Sequence, residues 1–110
     1  MSTRTRILTL SELGPGEMRA LDIEDLPPLA AFNVDGRICV TSNVCTHNVA
    51  TLTDGYFEGE IVECPLHGGC FNVTTGLPTQ FPCVQPLQIY PVMVEHGVVY
   101  LEDPRVEVLP

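Results

Sequence analysis

A chain of 110 residues, 45% of them hydrophobic, has room for one small globular domain and excludes a large catalytic one. Fourteen acidic residues against five Arg and no Lys give a net charge of −9, which argues against nucleic acid or an anionic membrane surface as partner and leaves a basic protein partner or plain solubility as the two readings of the acidity. No apolar run approaches the roughly 20 residues that span a bilayer, and Ile7-Leu8-Thr9-Leu10 is too short and too alternating for a secretory signal, so no membrane association and a cytoplasmic location are expected.

In chain order, residues 6–10 alternate in the manner of a first β-strand, and Ser11-Glu12-Leu13-Gly14-Pro15-Gly16 supplies turn chemistry after it. Residues 17–23 read as a second strand, with Met18, Ala20, Leu21 and Ile23 apolar, that ends in the acidic, solvated Asp22-Ile23-Glu24-Asp25 edge and Pro27-Pro28. Strands over 29–34 and 37–44 flank Asp35-Gly36, a dipeptide suited to a tight hairpin because both residues tolerate positive φ. The second of these strands runs directly into Cys45. Turns at Asp54-Gly55 and Glu58-Gly59 precede a short strand over 60–64, a return strand covers 70–74, and Thr75-Gly76-Leu77-Pro78 turns the chain again. Pro82 then precedes an alternating strand over 87–95, and His96-Gly97 turns into a last strand over 98–102. His96 is expected to face solvent there. The tail over 103–110, with Pro104 and Pro110, is expected along the surface.

About eight short strands, without a helical period or an internal repeat, predict an all-β fold: an antiparallel sandwich or barrel-like base carrying a small subdomain over about 43–83, with 1–110 forming a single domain. The subdomain is expected to own little apolar surface.

The chemistry concentrates in two short segments, Cys45-Thr46-His47 and Cys64-Pro65-Leu66-His67. Each places one thiolate and one imidazole at close spacing, so that a compact centre has four candidate metal ligands: Cys45, His47, Cys64 and His67. A binuclear iron-sulfur cluster suits the set, two thiolates holding one iron and two imidazoles the other. A structural zinc site is the alternative, although common zinc fingers pair Cys with Cys and His with His instead of interleaving them; a degenerate, metal-free motif is the third reading. Cys39, Cys70 and Cys83 remain outside the motif without a disulfide framework, and read as buried free thiols. Gly68-Gly69 allows close backbone approach, with N–H groups available to sulfur, or serves simply as a turn.

The pattern is similar to the Rieske motif, and the length and both ligand pairs resemble the Rieske-type ferredoxins of bacterial aromatic ring-hydroxylating dioxygenase systems, most specifically over 45–71. The resemblance implies a Rieske-type 2Fe-2S cluster with Cys45 and Cys64 on the inner iron and His47 and His67 on the outer iron. It further implies an electron carrier in aromatic hydrocarbon catabolism, not an enzyme, that passes electrons from an NADH-dependent flavoprotein reductase to a terminal oxygenase. Pro82 resembles part of the third loop that shields the cluster in such proteins.

Respiratory Rieske proteins resemble the same motif but carry an additional Cys in each ligand loop; Ala50 and Leu66 stand at those places, so that disulfide cannot form. They also have a Ser and a Tyr, both hydroxyl donors to sulfur, where this chain has Gly69 and Phe71. Rieske centres span roughly −150 to +300 mV, and hydrogen bonds to sulfur raise the potential, so a value near the negative end is expected. A Rieske-like small subunit of another oxidoreductase, such as assimilatory nitrite reductase, is the alternative to a free carrier.

Overall fold

The computed structural model describes residues 4–46, 50–66 and 68–102. Among these, eleven strands follow in chain order: β1 (Arg4–Thr9), β2 (Met18–Leu21), β3 (Leu29–Val34), β4 (Arg37–Ser42), β5 (Tyr56–Glu58), β6 (Ile61–Glu63), β7 (Cys70–Asn72), β8 (Pro78–Gln80), β9 (Ile89–Tyr90), β10 (Val92–Glu95) and β11 (Val98–Glu102). They form three antiparallel sheets, ordered β1-β11-β10, β2-β3-β4-β9 and β5-β6-β7-β8. The helical content of the described residues is two single 3-10 turns, Leu10–Glu12 and Leu52–Asp54, and no helix among them is long and apolar enough to cross a membrane. The all-β, antiparallel expectation holds.

β3 organises the packing. It is buried along its whole length, and the two-residue period of a strand sends its side chains alternately to two cores. Leu29 and Ala31 join Leu8, Leu21, Ile38, Val40, Val99 and Leu101 between the first two sheets. Ala30, Phe32 and Val34 join Leu52, Val62, Phe71 and Val73 beneath the third. Two-sided burial is why Leu29-Ala30-Ala31-Phe32 is continuously apolar instead of alternating. The buried polar residue on this strand, Asn33, is satisfied: its Nδ2 donates to the Leu13 carbonyl at 2.8 Å, and its Oδ1 accepts from the Gly36 N–H at 2.7 Å.

One packing expectation is overturned. The part of the chain that carries the two Cys segments owns a substantial apolar surface, because Leu52, Val62, Phe71 and Val73 are all fully buried against β3. The Phe57 ring also packs on Phe32 at a centroid distance of 5.0 Å. Each comes from a short strand or turn whose apolar residues are few, so their joint burial shows only once the loops are folded onto β3.

Turn chemistry explains the connections. Asp35 and Gly36 both have positive φ (54° and 98°), as do His96 and Gly97 (52° and 77°), the backbone that two-residue antiparallel hairpins favour. His96 is exposed at its turn, as expected. The strand expected over 87–95 is two strands in two sheets: β9 pairs with β4 and β10 with β11, and the break falls at Pro91, which has no N–H to give a ladder. β5 and β8 were not expected. β8 starts on Pro78, a residue that argues against a strand in isolation but is tolerated here at the sheet edge. The tail over 103–110 lies outside the described residues.

Candidate metal centre

Three loops carry the centre. The first follows β4, and Asn43 fixes its base: the Asn43 Nδ2 donates to Thr53 Oγ1 and its Oδ1 accepts from the Thr53 N–H, both at 3.0 Å. The Cys45 N–H then donates to the Ala50 carbonyl at 2.9 Å, which closes the loop that contains the first Cys/His pair. The second loop is closed in the same way, the Cys64 N–H donating to the Gly69 carbonyl at 2.7 Å. Gly55 lies against this loop so closely that a Cβ there would stand 2.0 Å from the Glu63 carbonyl oxygen. The third loop joins β8 to β9 and is tied to the first, since the Thr46 hydroxyl donates to the Gln85 carbonyl at 2.8 Å.

Cys45 and Cys64 are 3% and 1% exposed, and their side chains are within hydrogen-bonding reach of each other. Burial pushes the Cys64 thiol above its ordinary range, opposed by the Leu66 N–H, which donates to the Cys64 sulfur; the neighbouring Cys45 raises it further. Cys83, 4% exposed, brings a third sulfur to within 3.8 Å of Cys45 Sγ. Its thiol is pushed up to about 12, chiefly by burial and then by Cys45. Cys70 is buried in β7 and donates to the Gly68 carbonyl at 3.6 Å, and Cys39 is half-buried on β4. None of the five cysteines is in a disulfide.

The structure thus brings together the two predicted cysteine ligands, whereas His47 and His67 lie outside the described residues. It also shows two residues that sequence reading missed. Asn43 gave no signal apart from its position just before the motif. Cys83 is buried, as expected, but nothing in the sequence indicates its contact with Cys45. Pro82, in a cis peptide with Phe81, precedes the residue that touches the Cys45 sulfur.

The three loops expose large apolar side chains. Phe81 and Val84 flank Cys83 at 79% and 66% exposure, and Val44 and Leu66, on the loops of Cys45 and Cys64, are exposed as well. The sequence stretches 38–53 and 64–94, which include all three loops, contain no Asp, Glu, Lys or Arg. The acidity of the chain lies outside these stretches in sequence, with the Glu63 carboxylate reaching the second loop, 3.7 Å from where a Cβ on Gly68 would stand. Two converging, desolvated sulfurs with a backbone N–H directed at one of them fit the thiolate side of an iron-sulfur cluster, a group that needs cysteine sulfur and donors around it.

A centre of buried thiols between three loops on an antiparallel β fold offers half of a metal site among the described residues, and comparison with known proteins names its kind. The chain belongs to the family of the Rieske [2Fe-2S] domain, whose model matches residues 3–91, and its cofactor is a Rieske-type 2Fe-2S cluster. The biphenyl dioxygenase ferredoxin subunit of Pseudomonas sp. (strain KKS102) is 41% identical over 94% of each chain. The structure of the Sphingomonas yanoikuyae B1 ferredoxin matches with a TM-score of 0.89 at 45% identity, covering 93% of this chain and all of that one. A complex of reduced oxygenase and oxidized ferredoxin in carbazole 1,9a-dioxygenase matches with a TM-score of 0.87 at 36% identity over 93% of this chain and 94% of that one.

Proposed function

We propose that this protein is the electron carrier of an aromatic ring-hydroxylating dioxygenase system, accepting one electron from an NADH-dependent flavoprotein reductase and delivering it to a terminal oxygenase. In this reading 1–110 acts as a single cytoplasmic Rieske domain, and 43–83 is its cluster-binding part. Cys45 and Cys64 hold the inner iron; His47 and His67 hold the outer iron. The cluster supplies one-electron chemistry, and the chain supplies its insulation, its donors and its docking face.

The observation that carries the reading is the exposure of Val44, Leu66, Phe81 and Val84 on the three loops that bear the buried sulfurs. A carrier needs a surface on which another protein can seat close to the redox centre and exclude water, and large exposed side chains on three converging loops provide one. A ferredoxin similar to this chain is found in complex with its oxygenase, which supports an oxygenase as partner. The ferredoxin names of the relatives favour a free carrier over a nitrite reductase subunit.

The test is reduction of the purified, cluster-loaded protein by NADH and a dioxygenase-system reductase, followed by reoxidation on mixing with the terminal oxygenase. Electron paramagnetic resonance of the reduced form should carry the signature of mixed Cys/His ligation. A protein that forms an all-cysteine signal, or that cannot be reoxidised by any such oxygenase, would not be this carrier.

A further inference from the structure

We propose that Cys83 is a positioning residue of the centre: its S–H donates to the Cys45 sulfur and raises the reduction potential of the cluster. The inference rests on the reading of Cys45 as an iron ligand.

The geometry points to it in three ways. First, the two sulfurs are 3.8 Å apart, in hydrogen-bonding range for sulfur, and both are buried. Either could be the donor in the chain alone, but a cysteine bound to iron has lost its proton. Cys83 must then be the donor and Cys45 the acceptor. Second, the thiol is held in place. The Cys83 N–H donates to the Gln80 carbonyl at 3.2 Å, and the loop is fastened to that of Cys45 by the Thr46–Gln85 hydrogen bond. Third, room has been made for this sulfur. A Cβ on Gly69 would stand 2.3 Å from Cys83 Sγ, so the absent side chain of one loop is the space that the thiol of another fills.

The consequence is electronic. Reduction adds one negative charge to the cluster, and a donor aimed at a ligand sulfur stabilises the more negative state more than the oxidised one. Neither Gly69 nor Phe71 has a side-chain donor, but position 83 restores one from outside the motif. A thiol is a weaker donor than a hydroxyl, so the rise is smaller than a serine at the motif would give.

The experiment compares cluster-loaded wild type, Cys83→Ala and Cys83→Ser by voltammetry and by resonance Raman spectroscopy in H2O and D2O. The expected result is a downward shift of the midpoint potential in Cys83→Ala, with a reduced deuterium sensitivity of the Fe–S(Cys) stretching bands. Cys83→Ser, which keeps a donor, should stay closer to wild type in both. An Ala variant with wild-type midpoint and isotope response would overturn the proposal. So would wild-type bands that show no deuterium sensitivity, a measurement that needs no variant to fold. Cys45→Ala separates the two levels of the argument: if it retains the full cluster absorbance, the ligand reading fails and this inference with it. If it loses the cluster while Cys83→Ala leaves the midpoint unchanged, only the inference fails.

Discussion

Gly69 and Cys83 occupy one site between them: with a Cβ at position 69 the Cys83 sulfur would be 2.3 Å away, and the Cys83 N and Cβ only 3.1 and 3.2 Å away. This complementarity revises an obvious experiment. Installing the hydroxyls of respiratory relatives as Gly69→Ser and Phe71→Tyr would drive one side chain into Cys83 and put the other hydroxyl in a fully buried apolar core.

Gly69→Ala should therefore destabilise the protein by about 1–3 kcal/mol, the usual cost of overpacking. In the Cys83→Ala background the closest overlap is gone, and the cost should fall. Denaturant unfolding of the two single variants and the double variant would show this as non-additivity; strictly additive losses would mean that the two residues do not compete for space.

Ligand variants should divide cleanly. His47→Cys and His67→Ala should destroy or alter the cluster, and so should Cys64→Ala, because each is proposed to hold an iron. Cys70→Ser should keep it, since the Cys70 sulfur is engaged with the Gly68 carbonyl. Visible and paramagnetic resonance spectra decide the matter, and native spectra in either His variant alongside loss of iron in Cys70→Ser would reverse the assignment.

The core beneath the third sheet makes a stability prediction. Phe32 is fully buried and touches Phe57, so Phe32→Ala should cost about 3–5 kcal/mol. Thermal unfolding of the cluster-free chain would measure it. A loss below about 1 kcal/mol would mean that the sheet packs on β3 only when metal is bound.

Docking should separate into two contributions. The carboxylates lie outside 38–53 and 64–94 in sequence, so they are expected to act through steering while the exposed apolar side chains of the three loops set the contact. Raising ionic strength should slow second-order electron transfer with at least one partner while leaving dissociation of the docked complex unchanged. Phe81→Ala should do the reverse, with faster dissociation and the same salt dependence. Stopped-flow rates that stay flat from low to high salt would return the net charge to a solubility role.

In the cluster-free chain, alkaline pH should destabilise the fold through Cys83. Burial and the neighbouring Cys45 push its thiol up to about 12 from an ordinary 9.0, so between those values the unfolded chain releases its proton first and gains stability. The contribution is fully present below pH 9.0 and is lost as pH rises toward about 12. Unfolding at a series of alkaline pH values should show a decline that is shallower in Cys83→Ala.

What was legible from sequence was local. Cys45-Thr46-His47 and Cys64-Pro65-Leu66-His67 announce metal chemistry because a ligand pair two or three residues apart is brought together by covalent connection alone. Asp35-Gly36 and His96-Gly97 announce hairpins because their turn needs only the φ preferences of the residues in it. The breaks at Pro91 and the edge strand starting at Pro78 were harder, because the same missing N–H forbids a central strand and permits an edge one, and only the sheet order distinguishes the two. Two-sided burial of β3 was likewise hidden, since an apolar run does not say which side each residue faces or what lies there. The meeting of Cys83 with Cys45, 38 residues apart, was decided by tertiary structure alone: it required three loops to close on one point and a glycine to vacate the space between them.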